Sequence, residues 1–352
     1  MSLAISHETR SAGWLRSAGF DGTFILGIAA LAVASGLIVL QNPALFPLIL
    51  FLDLWVLGYH HVISTYTRLA FDAESRKANQ FFLYGLPPLV LVATVALALG
   101  VGLWTIGTIY LYWQWFHYTR QSWGVSQAYR QKSGGLVREN ETLTKWAFYS
   151  LPAWGIAYRS FQDPGTFLGL ELRVIPVPEF VVYAAATVAL ATFGAWSFLR
   201  LKAFLNGEGP IAHTLYMLSH FVIFGTGYLL IEDITYGWLV INIWHNAQYV
   251  LFVWLFNTNK FKDGESTKAR LLSKLSQPQN RIWYFGFCIA LSTVIYASIS
   301  VSISAAFAEV AVPLALVIYS AINFHHYIVD SYIWKMRKPS IQKTMEIEEV
   351  PH

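Results

Sequence analysis

The sequence contains few charged residues and almost no cysteine. Only 12% of its 352 residues are Asp, Glu, Lys or Arg, and Cys288 is the one cysteine. A single cysteine excludes an intramolecular disulfide framework and any Cys-rich zinc or iron-sulfur site. The shortage of charge is far from the composition of an ordinary soluble domain. The formal net charge of +4 gives no indication of a nucleic-acid partner.

Several common sequence motifs are also missing. The chain contains no His-Glu-x-x-His helix, no Gly-x-Ser-x-Gly elbow and no phosphate-binding glycine loop. Intramembrane zinc proteases of the His-Glu-x-x-His kind, the commonest hydrolases and nucleotide-driven enzymes are therefore unsupported. Residues 1–19 carry charges but no short apolar stretch that ends in a small-residue cleavage site. We therefore expect no removable signal peptide.

What the sequence has in abundance is apolar residues. They make up 55% of the chain, and the mean hydropathy is +0.46. Because about 20 apolar residues span a bilayer, the pattern predicts an all-α, polytopic transmembrane bundle of about ten helices. We expect one integral membrane domain over residues 1–352, with no soluble domain. The predicted spans are 20–40, 44–64, 82–101, 103–123, 144–160, 178–199, 212–231, 236–256, 282–301 and 307–333.

The distribution of positive charge predicts the orientation of this bundle. With ten spans, nearly all of the 24 Lys and Arg residues fall in the terminal segments and in alternate loops. Because loops rich in Lys and Arg stay in the cytoplasm, we expect both termini there, with segments 1–19 and 335–352 as cytoplasmic segments. The bacterial inner membrane is the expected location.

Histidines recur near one end of several predicted spans. With the predicted orientation, most lie in the cytoplasmic half of the bilayer, where ionisable groups are costly and commonly functional. His213 is better explained as an interfacial anchor. The residues that we predict as metal ligands are His60, His61, His117, His220, His245, His325, His326 and Asp330.

Other polar residues lie near these histidines at helical spacing. Asp330, four residues after His326, could bind metal directly or orient an imidazole, and Asp53 and Gln121 could also orient one. Tyr249, Tyr327 and Asp330 are candidates for proton transfer. As substrate-binding residues the sequence suggests Arg68, Arg120, Trp115 and Trp244.

Imidazole and carboxylate ligands without thiolate suit iron, zinc, copper or manganese. The number of candidate ligands favours a dinuclear centre, or one metal with spare polar groups. In a bilayer the substrate is expected to be a lipid or another lipophilic molecule. Iron with dioxygen is the chemistry that an unreactive apolar substrate most needs.

The histidine pattern resembles the membrane-bound histidine-cluster non-heme iron oxygenases, which include desaturases, hydroxylases and bacterial β-carotene dioxygenases. The resemblance lies in the style of the site and is carried by His60, His61, His117, His245, His325 and His326. It implies a membrane oxidoreductase with two iron ions, which uses dioxygen and receives electrons from a donor protein.

Three alternatives remain open from the sequence. Two histidines could bind heme b in an electron-transfer protein. The His, Asp and Arg groups could instead relay protons in a proton-coupled transporter. The chain could also be an accessory subunit that holds a cofactor for a larger complex.

Overall fold

The computed structural model describes residues 13–134, 139–306 and 314–347. The outer parts of the predicted segments 1–19 and 335–352, and the start of the predicted span 307–333, lie outside these ranges. The helices are α1 (Ala18–Gln41), α2 (Pro43–Ala70), α3 (Ala73–Ala78), α4 (Phe81–Gly100), α5 (Leu103–Lys132), α6 (Glu141–Gln162), α7 (Glu179–Leu205), α8 (Ile211–Gly225), α9 (Ile234–Lys260), α10 (Arg270–Leu275), α11 (Arg281–Ala306), α12 (Leu314–Ile333) and α13 (Pro339–Met345).

The chain is helical, as the sequence predicts, but the expected number of membrane spans is wrong. Six helices within the described ranges are long and apolar enough to cross a membrane: α1, α2, α4, α7, α9 and the segment Pro278–Ser302 that contains most of α11. Helices at the positions of the other four predicted spans, α5, α6, α8 and α12, do not meet that criterion. Polar residues such as His117, Arg120 and Asp330 lower the hydropathy of α5 and α12. His213 and His220 do the same in α8, which continues as a π-helix over Thr226–Leu230.

Helix α9 occupies the centre of the fold. Its most apolar stretch is 94% buried, whereas the corresponding stretches of the other five candidate spans are only 11–39% buried. Those helices expose large apolar side chains, for example Leu37, Phe51 and Phe180, as lipid-facing helices do. Gly36 of α1 allows close packing against α9, because a Cβ there would collide with Val240.

Two irregularities in the fold bear on the candidate site. Helix α2 contains a π-helical turn at Asp53–Gly58. Such a turn holds one extra residue and rotates the helix that follows it, and it is frequent at functional sites. At the other end of the chain, α13 packs against α9, with Ile341 and Met345 buried. The described part of the predicted cytoplasmic tail is therefore folded onto the bundle.

The only strands in the described ranges form a small hairpin between α6 and α7. Strand β1 (Thr166–Phe167) pairs antiparallel with β2 (Leu170–Glu171). Phe167 is buried and anchors this loop against α9, where its ring meets that of Trp238 edge to face.

Candidate metal centre

Four buried side chains converge between α2, α5 and α12. They are His61, His117, His326 and Asp330, and one potential ligand atom from each lies within 4.8 Å of the others. Each residue is at most 6% exposed. Burial of polar groups costs free energy unless partners compensate for it. The hydrogen bonds of this cluster therefore indicate what else it can bind.

Spacing and helix register bring these side chains together. His326 and Asp330 lie four residues apart on α12 and so project from one face. His61 follows the π-helical turn of α2 by three residues. The rotation that this turn introduces directs His61 and Thr65 towards α12, where they contact His326 and Asp330.

The Thr65 hydroxyl connects two members of the cluster. Its oxygen lies 3.0 Å from Nδ1 of His326 and 3.0 Å from Oδ1 of Asp330. The hydroxyl has one proton, which it donates to the Asp330 carboxylate, so it accepts the Nδ1–H of His326. This network assigns the tautomer of His326 and leaves an unprotonated Nε2 facing the cluster.

Tyr249 supports the same carboxylate from α9. Its hydroxyl donates to Oδ1 of Asp330 over 2.8 Å and accepts the indole N–H of Trp334 over 2.9 Å. The Tyr249 ring also stacks on the His61 imidazole at a centroid distance of 4.0 Å. Oδ1 of Asp330 is thus fully engaged by Thr65 and Tyr249, whereas Oδ2 is not.

Several atoms that face the cluster lack hydrogen-bond partners among the described residues. They include Nε2 of His117, Nε2 of His245 and Oδ2 of Asp330. Nε2 of His61 lies 2.7 Å from Nε2 of His326, so the two imidazoles share a single proton. A metal cation could replace this proton and would also provide a partner for His117 and Asp330. The donor set therefore fits a metal ion.

His245 lies beside the four-residue group. Its ring centroid is 4.7 Å from that of His61 and 5.1 Å from that of His117. Its Nε2 has no hydrogen-bond partner among the described residues, and it is the nearest candidate to extend the ligand set.

The other member of each adjacent histidine pair points elsewhere. His60 meets the ring of Phe285, and its Nε2 has no partner among the described residues. Both nitrogens of His325 are hydrogen-bonded, Nε2 to the carbonyl of Phe82 at 2.7 Å and Nδ1 to the Tyr66 hydroxyl at 2.6 Å.

His220 and His213 lie apart from the cluster. Nε2 of His220 donates to the carbonyl of Phe148 over 3.1 Å, and Nδ1 lies 3.0 Å from the Ser122 hydroxyl. Nδ1 of His213 lies 3.3 Å from the guanidinium of Arg200. These three contacts are structural, and Nε2 of His213 has no partner among the described residues. The structure therefore does not bring His220 to the metal ligands predicted with it.

A cavity of about 450 Å³ extends from the cluster to the surface. His117, Asp330, Tyr249 and Tyr327 line it at the cluster. Its volume is within the range of pockets that hold small-molecule ligands. The remaining walls are Trp113, Phe116, Arg120, Gln121, Trp123, Gly124, Val125, Gln127, Phe252, Ile328, Ser331, Trp334, Lys335, Met336 and Arg337.

No protein-family model, curated protein or solved structure matches this chain. Its function must therefore be inferred from the geometry of the site.

One of the four residues predicted to bind substrate lines the cavity. It is Arg120. The Arg68 guanidinium instead lies over the rings of Trp334 and Phe256, at 3.6 and 4.3 Å from their centroids. The indole of Trp115 donates to the carbonyl of Pro152 over 2.8 Å, and Trp244 is buried between α8 and α9.

Asp53 belongs to a neighbouring network, although the sequence suggested that it orients an imidazole. Its carboxylate accepts hydrogen bonds from Asn242 at 2.5 Å and from Asn246 at 3.3 Å. Asn242 in turn accepts the hydroxyl proton of Tyr118, whose ring packs on His245 at 3.9 Å between centroids. Asn246 also hydrogen-bonds to His61, so Asp53 is connected to the cluster indirectly, through Asn246 and through the packing of Tyr118.

Two features of the site were not predicted from the sequence. One is the role of Trp334, which holds Tyr249 and closes the cavity wall. Its position four residues after Asp330 is the signal that could have indicated it. The other is the pair of cations Lys335 and Arg337 in the cavity lining, which were interpreted only as part of a charged tail.

Proposed function

We propose that this protein is a membrane metalloenzyme that oxidises or cleaves a lipophilic substrate with dioxygen. Its metal ion is held by His61, His117, His326 and Asp330. The observation that carries the proposal is the convergence of these four buried donors within 4.8 Å, at the inner end of a largely apolar cavity.

The donor set favours iron, with zinc and copper as alternatives. Three imidazoles and one carboxylate suit all three metals, and Cys288, the one cysteine of the chain, is not part of this donor group. Four donors suffice for one ion. A second iron, as the resemblance to histidine-cluster oxygenases implies, would draw on His245 and further groups.

Iron bound here would supply the means to activate dioxygen against an unreactive carbon-hydrogen or carbon-carbon bond. The protein contributes the surroundings. Trp113, Tyr327 and Trp334 give the cavity apolar walls that accept a lipophilic substrate and exclude water. Tyr249, hydrogen-bonded to Asp330, can hold or deliver a proton at its hydroxyl oxygen. An electron-donor protein at the face predicted to be cytoplasmic, and a place in the bacterial inner membrane, complete the proposal.

A proton-coupled transporter is the second candidate. It is favoured by the buried carboxylate of Asp53 and its hydrogen-bonded chain to Asn242, Tyr118 and Gln114, because such chains in membranes often relay protons. A heme protein is less well supported. With Nε2 of His61 and Nε2 of His326 2.7 Å apart, no porphyrin fits between these two imidazoles.

Metal analysis of the purified protein tests the centre. Wild-type protein should contain about one equivalent of a transition metal, or about two if His245 helps to bind a second ion. His117→Ala and Asp330→Ala should each reduce this content severalfold or more. His220→Ala is the matched control, since it removes a buried histidine that is hydrogen-bonded elsewhere. Equal metal content in all four proteins would refute the centre.

The oxygenase chemistry needs a separate test. Protein loaded with Fe²⁺, a chemical reductant and a lipid extract should consume dioxygen and yield oxidised lipid products detectable by mass spectrometry. Zinc-loaded protein is the control. If iron-loaded and zinc-loaded proteins give the same products, and proton uptake into proteoliposomes depends on Asp53, the transporter replaces the oxygenase.

A further inference from the structure

The cavity lining carries three positive charges. Arg120 of α5 and Lys335 and Arg337, which follow α12, all line it. Among the described residues that line it, the one carboxylate is that of Asp330, which belongs to the metal cluster. Three cationic side chains thus line this largely apolar cavity: Arg120 and Arg337 are exposed, and the Lys335 ammonium lies 5.4 Å from the centroid of the Tyr332 ring.

Within the part of the chain that the structure describes, these cations have no acidic partner. Among the described residues, no carboxylate oxygen lies within 4.0 Å of the charged nitrogens of Arg120, Lys335 or Arg337. Arg120 donates one hydrogen bond, to the Tyr149 hydroxyl over 3.1 Å, and keeps its other N–H groups. By contrast, Lys260, Lys262 and Lys268 at nearby loops each contact a carboxylate.

The cavity runs along α5 past both the metal cluster and Arg120, which follows His117 by three residues. Its lining follows α5 from Trp113 to Gln127, about 21 Å of helix at 1.5 Å per residue. Phe116, which is 52% exposed, and Ser331, also exposed, lie at its rim. The cavity therefore opens between α5 and α12.

We propose that the ligand of this cavity is a single-chain amphiphile with an acidic headgroup, whose carboxylate or phosphate binds Arg120, Lys335 and Arg337. This inference rests on the proposed function, since it names the class of substrate for the same centre. Arginine forks bind carboxylate and phosphate oxygens in pairs, and lysine adds a point charge. The apolar chain then lies against Trp113, Phe252 and Tyr327, with its carbons towards His117 and Asp330.

Ordinary anchoring of a helix end to lipid headgroups explains positive charge at an interface, but it does not require the cations to line a cavity. The two explanations differ in what they bind. Anchoring attracts any anionic surface and depends on total charge. A headgroup site discriminates among amphiphiles of equal chain length and depends on these three residues.

Binding of matched amphiphiles tests the proposal. Wild-type protein in nanodiscs of zwitterionic lipid is titrated with dodecanoate, dodecyl phosphate, 1-dodecanol and dodecyltrimethylammonium, with calorimetry as the readout. One or both acids should bind at least about tenfold more tightly than the alcohol and the cation. Which acid binds better identifies the headgroup as carboxylate or phosphate.

Variants then locate the site. Arg120→Gln with Arg337→Gln, or Lys335→Gln alone, should weaken binding of the preferred acid about tenfold or more. Lys274→Gln is the control, because it removes an exposed positive charge from α10, which contributes no residue to the cavity. Equal affinity for all four amphiphiles, or an equal loss in Lys274→Gln, would overturn the proposal.

The proposed metal centre and the proposed headgroup site can be refuted separately. Asp330→Ala should lose metal but keep its preference for the acidic amphiphile, because the three cations remain. Arg337→Gln should keep its metal content. If the acids bind selectively to a protein that never contains metal, the proposed function fails while the headgroup site stands.

Discussion

Two groups of buried histidines in this protein differ in their hydrogen bonding. At the α2–α5–α12 cluster, His117 has an Nε2 with no partner among the described residues, and His61 and His326 share one proton. Between α5 and α8, and between α4 and α12, His220 and His325 have both nitrogens engaged. The residue type and the burial are the same, yet only the first group has unused ligand atoms.

Within these two groups, this difference separates the candidate binding site from structural packing. His60 and His213, which also have an unpartnered Nε2, lie outside the cluster, so a ligand site requires convergence with other donors as well. A buried imidazole with two hydrogen bonds stabilises the fold and has no lone pair to offer. An imidazole with an unpartnered nitrogen costs free energy, and it is retained where a ligand repays that cost. Substitutions of partnered and of unpartnered buried groups should therefore have different effects on metal binding and on stability.

The largest difference in metal content is expected between variants of two adjacent residues, His326 and His325. His326→Ala removes a cluster ligand and should reduce the metal content of the purified protein from about one equivalent to less than about a tenth. His325→Ala should leave the metal content unchanged, because its ring bonds Phe82 and Tyr66 instead. Elemental analysis of both variants decides the matter. The reverse result would mean that His325, and not His326, binds the metal.

A smaller effect is expected at Thr65, which orients His326 and Asp330 without being a predicted ligand. Thr65→Val keeps the side-chain shape but loses both hydrogen bonds, and it should weaken metal affinity by roughly 10–100-fold. Thr65→Ser keeps the hydroxyl and should behave like the wild type. Competition with a chelator of known affinity measures the change. If the valine and serine variants bind equally well, Thr65 has no role in orienting the ligands.

Much of this contrast was accessible from the sequence, because helical spacing fixes which residues share a face. His326 with Asp330, and His61 with Thr65, follow from the four-residue period. Lys and Arg in the loops, combined with the helix rise, gave each histidine a predicted depth. Depth in the membrane does not specify, however, which way a side chain points around its helix. His220 was grouped with the cluster because its depth was similar, although its side chain bonds Ser122 and Phe148.

Helix rotation could not be predicted. The π-helical turn at Asp53–Gly58 changes the register of α2, and no local sequence rule announces it. For that reason His61, and not His60, faces His326. The predicted number of spans was also too high. The apolar residues of α5 and α12 suggested membrane spans, but these helices carry the polar groups of the site, which lower their mean hydropathy below that of a candidate span.

Substitutions that leave metal binding intact should lower stability more than substitutions of the metal ligands. In metal-free protein, His220→Ala leaves the carbonyl of Phe148 and the hydroxyl of Ser122 without their partner, and should lower the free energy of unfolding by about 1–3 kcal/mol. His117→Leu replaces an unpartnered imidazole with an apolar group and should be neutral or stabilising. Thermal unfolding in detergent with excess chelator compares them. A large loss in His117→Leu would indicate that its Nε2 has a structural partner.

The smallest effect is expected on stability in acid, at a buried carboxylate that has all its partners. This carboxylate is Asp72, in contrast to Asp330, which has an unpartnered oxygen. Asp72 precedes α3, where it accepts the backbone N–H groups of Glu74 and Ser75 and contacts Lys260 at 2.5 Å. Partial burial opposes its ionisation, but the hydrogen bond from Lys260, the backbone amides and the Lys260 charge together lower its pKa below 3.8.

A carboxyl whose pKa is lower in the folded state than in the unfolded state stabilises the protein at pH values above its unfolded-state pKa. This contribution disappears as the pH falls through the folded-state pKa. The thermal midpoint of the wild type should therefore drop as the pH is lowered past about 3.8, and Asp72→Asn should show a shallower drop. Glu74→Gln is the control, because its carboxylate and its partner Lys268 are both exposed and such pairs contribute little. If the Asp72→Asn and Glu74→Gln profiles coincide, the contact with Lys260 does not contribute to stability in acid. In that case the hydrogen bonds of a buried group do not show by themselves whether the group stabilises the fold or binds a ligand.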